Sequence, residues 1–515
     1  MTKSTPDLGV TQTARNITSN LAFIVVDILY NLWYTPYLIL KLGSELFGFI
    51  PLATSVTNYF SLLTQSLNIS MSRHITIRLA KGETERAGQI FNTNLIVTLL
   101  LISLALPLGF VLVLLLPDLF KMPENSTRDV QLLFLCVVIS FLLTTLRVNF
   151  SIGSFASNRF DLRNIGFLGA RIIQVAVILI LFSFKQPSLL YVGIGAVSAA
   201  IFNLAGEFYL WKTLLPEFKF RWRDFQRNEL KLIFGSGSLT FIYQIGFLIF
   251  LNVDILVANR MLDLKTAGMY AALVFIPKNL RILSSAIGGV WGPTILSKYG
   301  DSDFEGINAV LIRSIKLVGL SMALPIGLIC GLAVPFLKVW LGPDFGSMGW
   351  LLALMVFPLS TNLIVEPFFN VNISMNKLKI PSLVILSMSL LNLWLAIKLA
   401  PQFGAMGIVI AGMVTLSLNY SIFIPIYTAK VMGFSFHQYS RHLISILLVT
   451  FLIAACAYFV STLISLNSFT LLIVSATLIS LMYLPFVYFI GINASDRETI
   501  HTWTKSWLQK VKSRS

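Results

Sequence analysis

Ten ionisable side chains fall inside long apolar runs of this 515-residue chain. The cations are Arg147, Arg171, Lys278, Arg281, Arg313 and Lys316, and the acids are Asp27, Glu207, Asp254 and Glu366. A charge at the centre of a membrane helix costs about 2.5–3.5 kcal/mol on insertion scales, so each needs a function or a compensating partner. Lys278 and Arg281 are three residues apart and share a helical face. With Arg147 and Arg171 they would form a cationic pit suited to phosphate or pyrophosphate. Arginine offers a bidentate fork and lysine a point charge. Two other readings stay open. Arg147, Arg171, Arg313 and Lys316 lie near enough to a span end to snorkel, and Lys278 and Arg281 could pair internally with Glu366. Asp27, near mid-span, is a candidate for H+ or Na+ coupling, as are Glu366 and Asp254. The alternative for such a carboxyl is a structural hydrogen bond to a neighbouring helix. Glu207 reads as interfacial.

Other chemistries find little support. Cys136, Cys330 and Cys456 each sit in an apolar run without CxxC or Cys/His spacing, and read as small buried hydrophobes. His74, His437, His442 and His501 fall in polar segments, so neither a metal cluster nor a Ser/His/Asp set is expected, and no cofactor beyond a coupling ion. Hydrophobic residues make up 56% and charged residues 12%, against about 25% charged in soluble proteins. Mean hydropathy is +0.82. This excludes a soluble domain, a disordered chain and a disulfide scaffold. The net charge of +16, a nucleic-acid signal in a soluble protein, here asks which side of a membrane the cations occupy. No nucleic-acid partner is expected, and the polar first 19 residues do not read as a cleavable leader.

The elements that must hold these residues are membrane helices. Fourteen apolar segments are legible, near 17–40, 45–70, 91–116, 130–154, 165–184, 189–213, 233–258, 267–292, 307–337, 347–374, 380–400, 404–430, 442–464 and 469–492. Each is long enough to cross a bilayer, and continuous rather than alternating hydrophobicity excludes a barrel. With the N-terminus inside, 24 Lys and Arg lie in cytoplasmic segments and eight in outer loops. That bias predicts both termini in the cytoplasm. The outer loops are all short, which leaves no room for an outer catalytic domain.

The chain also repeats at an offset of 218 residues. Ala105-Leu106-Pro107 and Gly109 match Ala323-Leu324-Pro325 and Gly327, and Asn158-Arg159 match Asn376-Lys377. Gly82-Glu83 match Gly300-Asp301, with a two-residue shift relating Gly48 to Gly268. The offset spans six helices, so the copies are parallel. The expected fold is all-α and polytopic. An N-lobe (1–215, spans one to six) leads through an amphipathic cytoplasmic linker (216–231) to a C-lobe (232–433, spans seven to twelve). The last pair of spans and a cytoplasmic amphipathic tail occupy 434–515, with Ile500, Trp503, Trp507 and Val511 on one face. Intraspan prolines, Pro36, Pro107, Pro277, Pro325, Pro358, Pro367, Pro425 and Pro485, read as hinges or static kinks.

Local patterns then carry a resemblance. They are Pro36-Tyr-Leu-Ile-Leu-Lys-Leu-Gly43-Ser-Glu-Leu-Phe-Gly48, Ser72-Arg73 with Lys81-Gly82-Glu83, Asn252-Val-Asp254 with Ala267-Gly268-Met-Tyr270, and Trp340-Leu-Gly342-Pro-Asp-Phe345. Together with the two parallel lobes, they resemble the multidrug/oligosaccharidyl-lipid/polysaccharide (MOP) exporter superfamily, in its Wzx-type polysaccharide and O-antigen flippase branch. The resemblance covers most of residues 15–430. It implies a non-enzymatic transporter with a cationic central cavity in the bacterial cytoplasmic (inner) membrane. Such a protein moves a polyprenyl-pyrophosphate-linked oligosaccharide, as in lipopolysaccharide assembly, from the inner to the outer leaflet by alternating access. The implied partners are membrane lipids, the polyprenyl-linked glycan, and a glycan polymerase or glycosyltransferases. A drug or metabolite antiporter or a lipid II flippase of the same superfamily is the alternative. The arginine-rich first-helix signature of lipid II flippases is not evident between Arg15 and Tyr34.

Overall fold

The computed structural model describes residues 6–227, 238–488 and 497. Among them there are helices and no strand, as expected where lipid leaves a backbone no other way to satisfy its polar groups. The expected tail helix over 500–511 and the end of the linker at 228–231 lie outside the described residues.

The first seven helices are α1 (Pro6–Phe47), α2 (Phe49–Ala80), α3 (Thr84–Leu119), α4 (Thr127–Phe150), the short α5 (Ile152–Ala156), α6 (Phe160–Phe184) and α7 (Leu189–Leu214). Among the described residues twelve helices are long and apolar enough to cross a membrane, and the count is thirteen when one bent pair, Pro343–Asn362 with Val365–Ser374 at 41°, is taken as a single span. The expected count of 14 is therefore not reached on this measure. The difference falls on 45–70. Most of that segment lies in α2, whose 32 residues are long enough at about 1.5 Å each, yet α2 is not among the apolar spans.

Several prolines mark breaks rather than bends. A proline ring collides with the carbonyl four residues before it and removes a donor. Four residues before Pro277 is Leu273, where the helix Leu264–Leu273 ends and Phe275–Gly288 begins. Four before Pro367 is Leu363, in the gap between Leu359–Asn362 and Val365–Ser374. Four before Pro425 is Ser421, inside the π-helical stretch Ser417–Phe423. In contrast, Pro107, Pro325 and Pro485 sit inside continuous helices, and Pro36 lies inside α1, whose break comes later, at Gly43 (φ 80°).

The repeat is visible in backbone detail. Asn158 and Asn376, 218 residues apart, both take the left-handed conformation, at φ 53° and 54°. Each closes its helix the same way: Arg159 N donates to Ser154 O and Lys377 N to Asn372 O, both at 2.8 Å. That is the six-to-one bond of a helix C-cap. The turn after α2 also recurs, with a corrected register. Gly82 (φ 77°) corresponds to Ser302 (φ 57°), and the Arg78–Glu83 ion pair at 2.6 Å corresponds to Lys298–Asp303 at 2.7 Å. The offset here is 220, as for Gly48 and Gly268, so Glu83 pairs with Asp303 rather than Asp301.

Packing divides the chain along other lines than the repeat. Unit 1 comprises Met1–Ala272 with Ile385–Ile408, and unit 2 comprises Leu273–Val384 with Val409–Ser515. Within unit 1 the two copies touch at equivalent points. A Cβ on Gly48 would stand 2.8 Å from the Gly268 Cα, and one on Gly268 would run into the Ser44 carbonyl. Nearby, Lys121 Nζ donates to Leu262 O at 2.8 Å, and Arg260 Nη1 donates to the carbonyls of Asp118 and Leu119 at 3.2 Å. The end of α3 is thus fastened to the turn after the helix Ser238–Met261. In unit 2, the helices Phe304–Gly331, His437–Leu463 and Phe469–Phe486 share a core of Ala323, Ile453, Ala457, Leu472, Ile479 and Tyr483. Gly327 and Gly331 allow the close approach, because a Cβ on either would meet Ile453 or Ala457.

Candidate functional site

Unit 1 brings together two residues that the sequence treats separately. Asp27 lies in the part of α1 long and apolar enough to span (Thr18–Phe47), and Arg171 lies near the middle of α6. Arg171 Nε donates to Asp27 Oδ1 at 3.0 Å. Asn31 Nδ2 reaches the Asp27 carbonyl at 2.7 Å and its Oδ2 at 3.4 Å. Arg171 Nη1 donates to Gln174 Oε1 at 3.3 Å, and the guanidinium lies 5.2 Å from the Tyr30 ring centroid. Tyr30 in turn stacks on Tyr34 at 5.0 Å. Helical geometry accounts for the set. Tyr30 and Asn31 stand one turn after Asp27, and Gln174 one turn after Arg171. The pair is held firmly yet not enclosed, since the Arg171 side chain is 41% exposed and that of Asp27 20%.

A second ion cluster occupies α4, α6 and α7. Arg147 Nη1 lies 3.6 Å from Glu207 Oε1, and Arg163 Nε lies 3.8 Å from the same oxygen. Ser154 Oγ donates to Glu207 Oε2 at 3.2 Å. The Phe167 ring faces both guanidinium groups, at 5.0 Å and 5.2 Å. The Arg147 and Glu207 side chains are 10% and 4% exposed. Glu207 is thus a buried counter-ion rather than a surface acid. Below it, Asp161 accepts from Arg159 at 3.0 Å, pairs with Arg15 at 3.1 Å, and accepts from Gln12 at 3.2 Å.

Asp254 joins a polar patch in unit 1. Its Oδ1 accepts from Asn392 Nδ2 at 3.2 Å and its Oδ2 from the Tyr270 hydroxyl at 3.4 Å. Asn58 Nδ2 donates to Asn252 Oδ1 at 3.1 Å, two residues earlier on the Asp254 helix.

The other candidates belong to unit 2. Lys278 and Arg281 stand one turn apart on the helix Phe275–Gly288, Lys278 exposed and Arg281 half-buried. Pro277, Leu280, Ser284 and Gly288 form the buried face of that helix. Glu366 packs against its far end, where a Cβ on Gly288 would stand 3.1 Å from the Glu366 Cβ. Gly288 is seven residues beyond Arg281, about 10 Å along the axis. Arg313 lies 5.9 Å from the Trp291 ring centroid.

Among the described residues no group of three His, Cys, Asp or Glu side chains could hold a metal ion. The arrangement offers charge pairing and anion recognition by arginine inside membrane helices.

Similarity to known proteins fits this picture. The model for polysaccharide biosynthesis proteins matches residues 13–299. The "uncharacterized membrane protein EpsK" of Bacillus subtilis (strain 168) is 30% identical over 488 residues, covering 94% of this chain and 96% of that protein. The chain belongs to the polysaccharide biosynthesis protein family. Two solved structures share the family member's fold at 15% identity and a TM-score of 0.61. One is an inward-facing MATE multidrug transporter of the MOP superfamily, matched over 81% of this chain and 98% of its own. The other is the lipid II flippase MurJ in an inward closed conformation, matched over 91% and 99%. These neighbours are transporters and flippases, not enzymes. The family member is thus a multi-pass membrane protein with a MOP-type transporter fold.

Of the candidate residues read from the sequence, the structure joins Arg171 to Asp27 and buries Arg147 against Glu207. Lys278, Arg281 and Glu366 share one helix neighbourhood in unit 2. The supporting residues Tyr30, Gln174, Arg163 and Phe167 were not singled out. A one-turn signal was present for each: Tyr30 after Asp27, Gln174 after Arg171, and Phe167 four residues after Arg163.

Proposed function

We propose that the protein is a flippase that moves a polyprenyl-pyrophosphate-linked oligosaccharide across the bacterial cytoplasmic membrane by alternating access. The observation that carries this reading is the Arg171 guanidinium. It is held at mid-span by Asp27, Gln174 and Tyr30 and is still 41% exposed. A mid-membrane arginine that is both positioned and accessible suits an anionic headgroup, whose phosphate oxygens match the guanidinium fork. Asp27 keeps the site neutral while it is empty of substrate. A phosphate on Arg171 competes with Asp27, whose carboxylate then becomes available to a proton or Na+. Inward movement of that cation gains about 2.3 kcal/mol per charge per 100 mV in an inside-negative cell. In unit 2, Lys278 and Arg281 offer phosphate two cations one turn apart, with Glu366 nearby. Asp254, which accepts from Asn392 and from the Tyr270 hydroxyl, is a second candidate coupling carboxyl. The proposed orientation puts both termini in the cytoplasm, on the 24-to-eight division of Lys and Arg. Glycosyltransferases or a polymerase would act before and after the flip.

The test is translocation of a polyprenyl-pyrophosphate oligosaccharide in proteoliposomes. Arg171→Ala should lower the rate about 10- to 100-fold, on the scale of a lost charge-assisted hydrogen bond, while Arg171→Lys retains part of it. Unchanged transport in Arg171→Ala rejects the assignment. A cationic-drug antiporter is the competing reading of the same fold. Efflux of a cationic dye by the wild-type chain, without glycolipid movement, would favour it.

A further inference from the structure

The segment that leaves α7 alternates aromatic and basic residues: Phe218, Lys219, Phe220, Arg221, Trp222, Arg223. In extended backbone, alternation sends the two sets to opposite sides. The chain is extended at Arg221 and then makes a short turn at Trp222–Asp224. Phe218 is 4% exposed and lies 5.8 Å from the Phe91 ring, in a core with Phe150 and Trp211. Phe220 and Trp222 continue outward, edge to face at 5.0 Å, and are 40% and 64% exposed. Phe225 is 38% exposed, and Lys219, Arg221, Arg223 and Arg227 are all exposed.

This is not a loose connector. Asn92, 1% exposed in the third turn of α3, donates to the Lys219 carbonyl at 3.0 Å and to Asp224 Oδ2 at 3.1 Å, and accepts from Arg221 N at 3.2 Å. Thr93 Oγ1 accepts from Gln226 N at 3.0 Å. A buried asparagine thus fixes the backbone and turns the lone acid of the segment inward, so the outer surface carries only cations beside its aromatic rings. The segment begins four residues after Leu214, the end of a helix long and apolar enough to span. Aromatic rings with basic neighbours at that level match the headgroup layer. Rings sit at the membrane–water boundary, and cations are drawn to anionic lipid within a Debye length of it.

We propose that residues 219–227 form a fixed docking strip for anionic phospholipid headgroups. Phe220, Trp222 and Phe225 would enter the interface, with Lys219, Arg221, Arg223 and Arg227 on the phosphates. The strip goes beyond the transport reading and does not depend on what is transported.

The test uses the full chain with Cys136, Cys330 and Cys456 replaced by alanine and an environment-sensitive fluorophore on Trp222→Cys. The chain is placed in nanodiscs of phosphatidylcholine alone or with phosphatidylglycerol. The label should be lipid-quenched, and doxyl-phosphatidylglycerol should quench about threefold more than doxyl-phosphatidylcholine. Lys219→Gln with Arg221→Gln and Arg223→Gln should bring that ratio to about one. A label that reads water in both lipids, or is quenched equally by both, overturns the strip. If the cysteine-free chain does not fold, phosphatidylglycerol retained by the natural chain and by the triple glutamine variant in native mass spectrometry makes the same comparison. Equal retention overturns it.

Discussion

Two ion pairs inside the helices of unit 1 use the same residue types for different ends. Arg147 and Glu207 are packed away, with Arg163 and Phe167 around them. Asp27 and Arg171 are closer to each other and far more open. In the first cluster two cations converge on one buried acid, so burial is balanced internally. In the second the pairing is one to one and accessible, so an incoming anion meets an arginine already desolvated in part and held in place. Exposure, not the presence of an intramembrane charge, separates a structural pair from a candidate ligand site.

The largest effect should come from breaking the closed pair. Arg147→Ala leaves Glu207 buried with only the more distant Arg163, and removal of one partner of such a pair costs about 3–5 kcal/mol. The expected readout is a clear fall in thermal unfolding temperature in detergent, with little protein recovered in folded form. If Arg147→Ala unfolds no earlier than Arg171→Ala, the contrast between the two pairs is wrong.

Arg171→Ala should behave in the opposite way. Its pair is the more open of the two, so unfolding should shift less than in Arg147→Ala while translocation falls. A large stability loss would recast Asp27–Arg171 as another structural pair. Asp27→Asn sharpens the point. It should raise affinity for a polyprenyl pyrophosphate, measured by equilibrium binding, because the internal competitor for Arg171 is weakened.

Two smaller effects test whether the repeat is physical. Asn158 and Asn376 hold left-handed backbone that costs an ordinary L-residue about 1–2 kcal/mol. Asn158→Ala and Asn376→Ala should therefore destabilise by similar amounts and the glycine variants less, as read by thermal unfolding. Unequal responses would show that equivalent turns carry unequal load.

The smallest effect concerns the paired turns after α2 and at 301–303. Lys298 and the Gly306 N–H hold the Asp303 carboxyl below its ordinary value of 3.8. A depressed carboxyl stabilises the fold above its unfolded pKa and loses that contribution as pH falls through the folded one. Amide exchange at Gly306 should speed up as pH is taken below 3.8, beyond the intrinsic trend, and Asp303→Asn should remove that extra dependence.

Much of this was legible in the sequence. Continuous apolar runs dictated helices, because a backbone in lipid has few alternatives. Asn158 and Asn376 disclosed a repeat whose turns prove superimposable in detail, since few residues accept positive φ. The 218-residue offset misplaced Asp303, because glycine and aspartate recur within two residues of each other there and only the ion pair to Lys298 selects between them.

The sequence by itself determined that the chain is a helical membrane protein with ten costly charges in its spans, because hydropathy and the rarity of such charges are local properties. Which charges meet was decided by tertiary structure alone. Asp27 and Arg171 are 144 residues apart, and no periodicity links α1 to α6. Burial was decided there too. Arg147 and Arg171 look alike in sequence, yet one is enclosed by α6 and α7 and the other is left open, since exposure depends on what packs against a helix face rather than on the residue that occupies it.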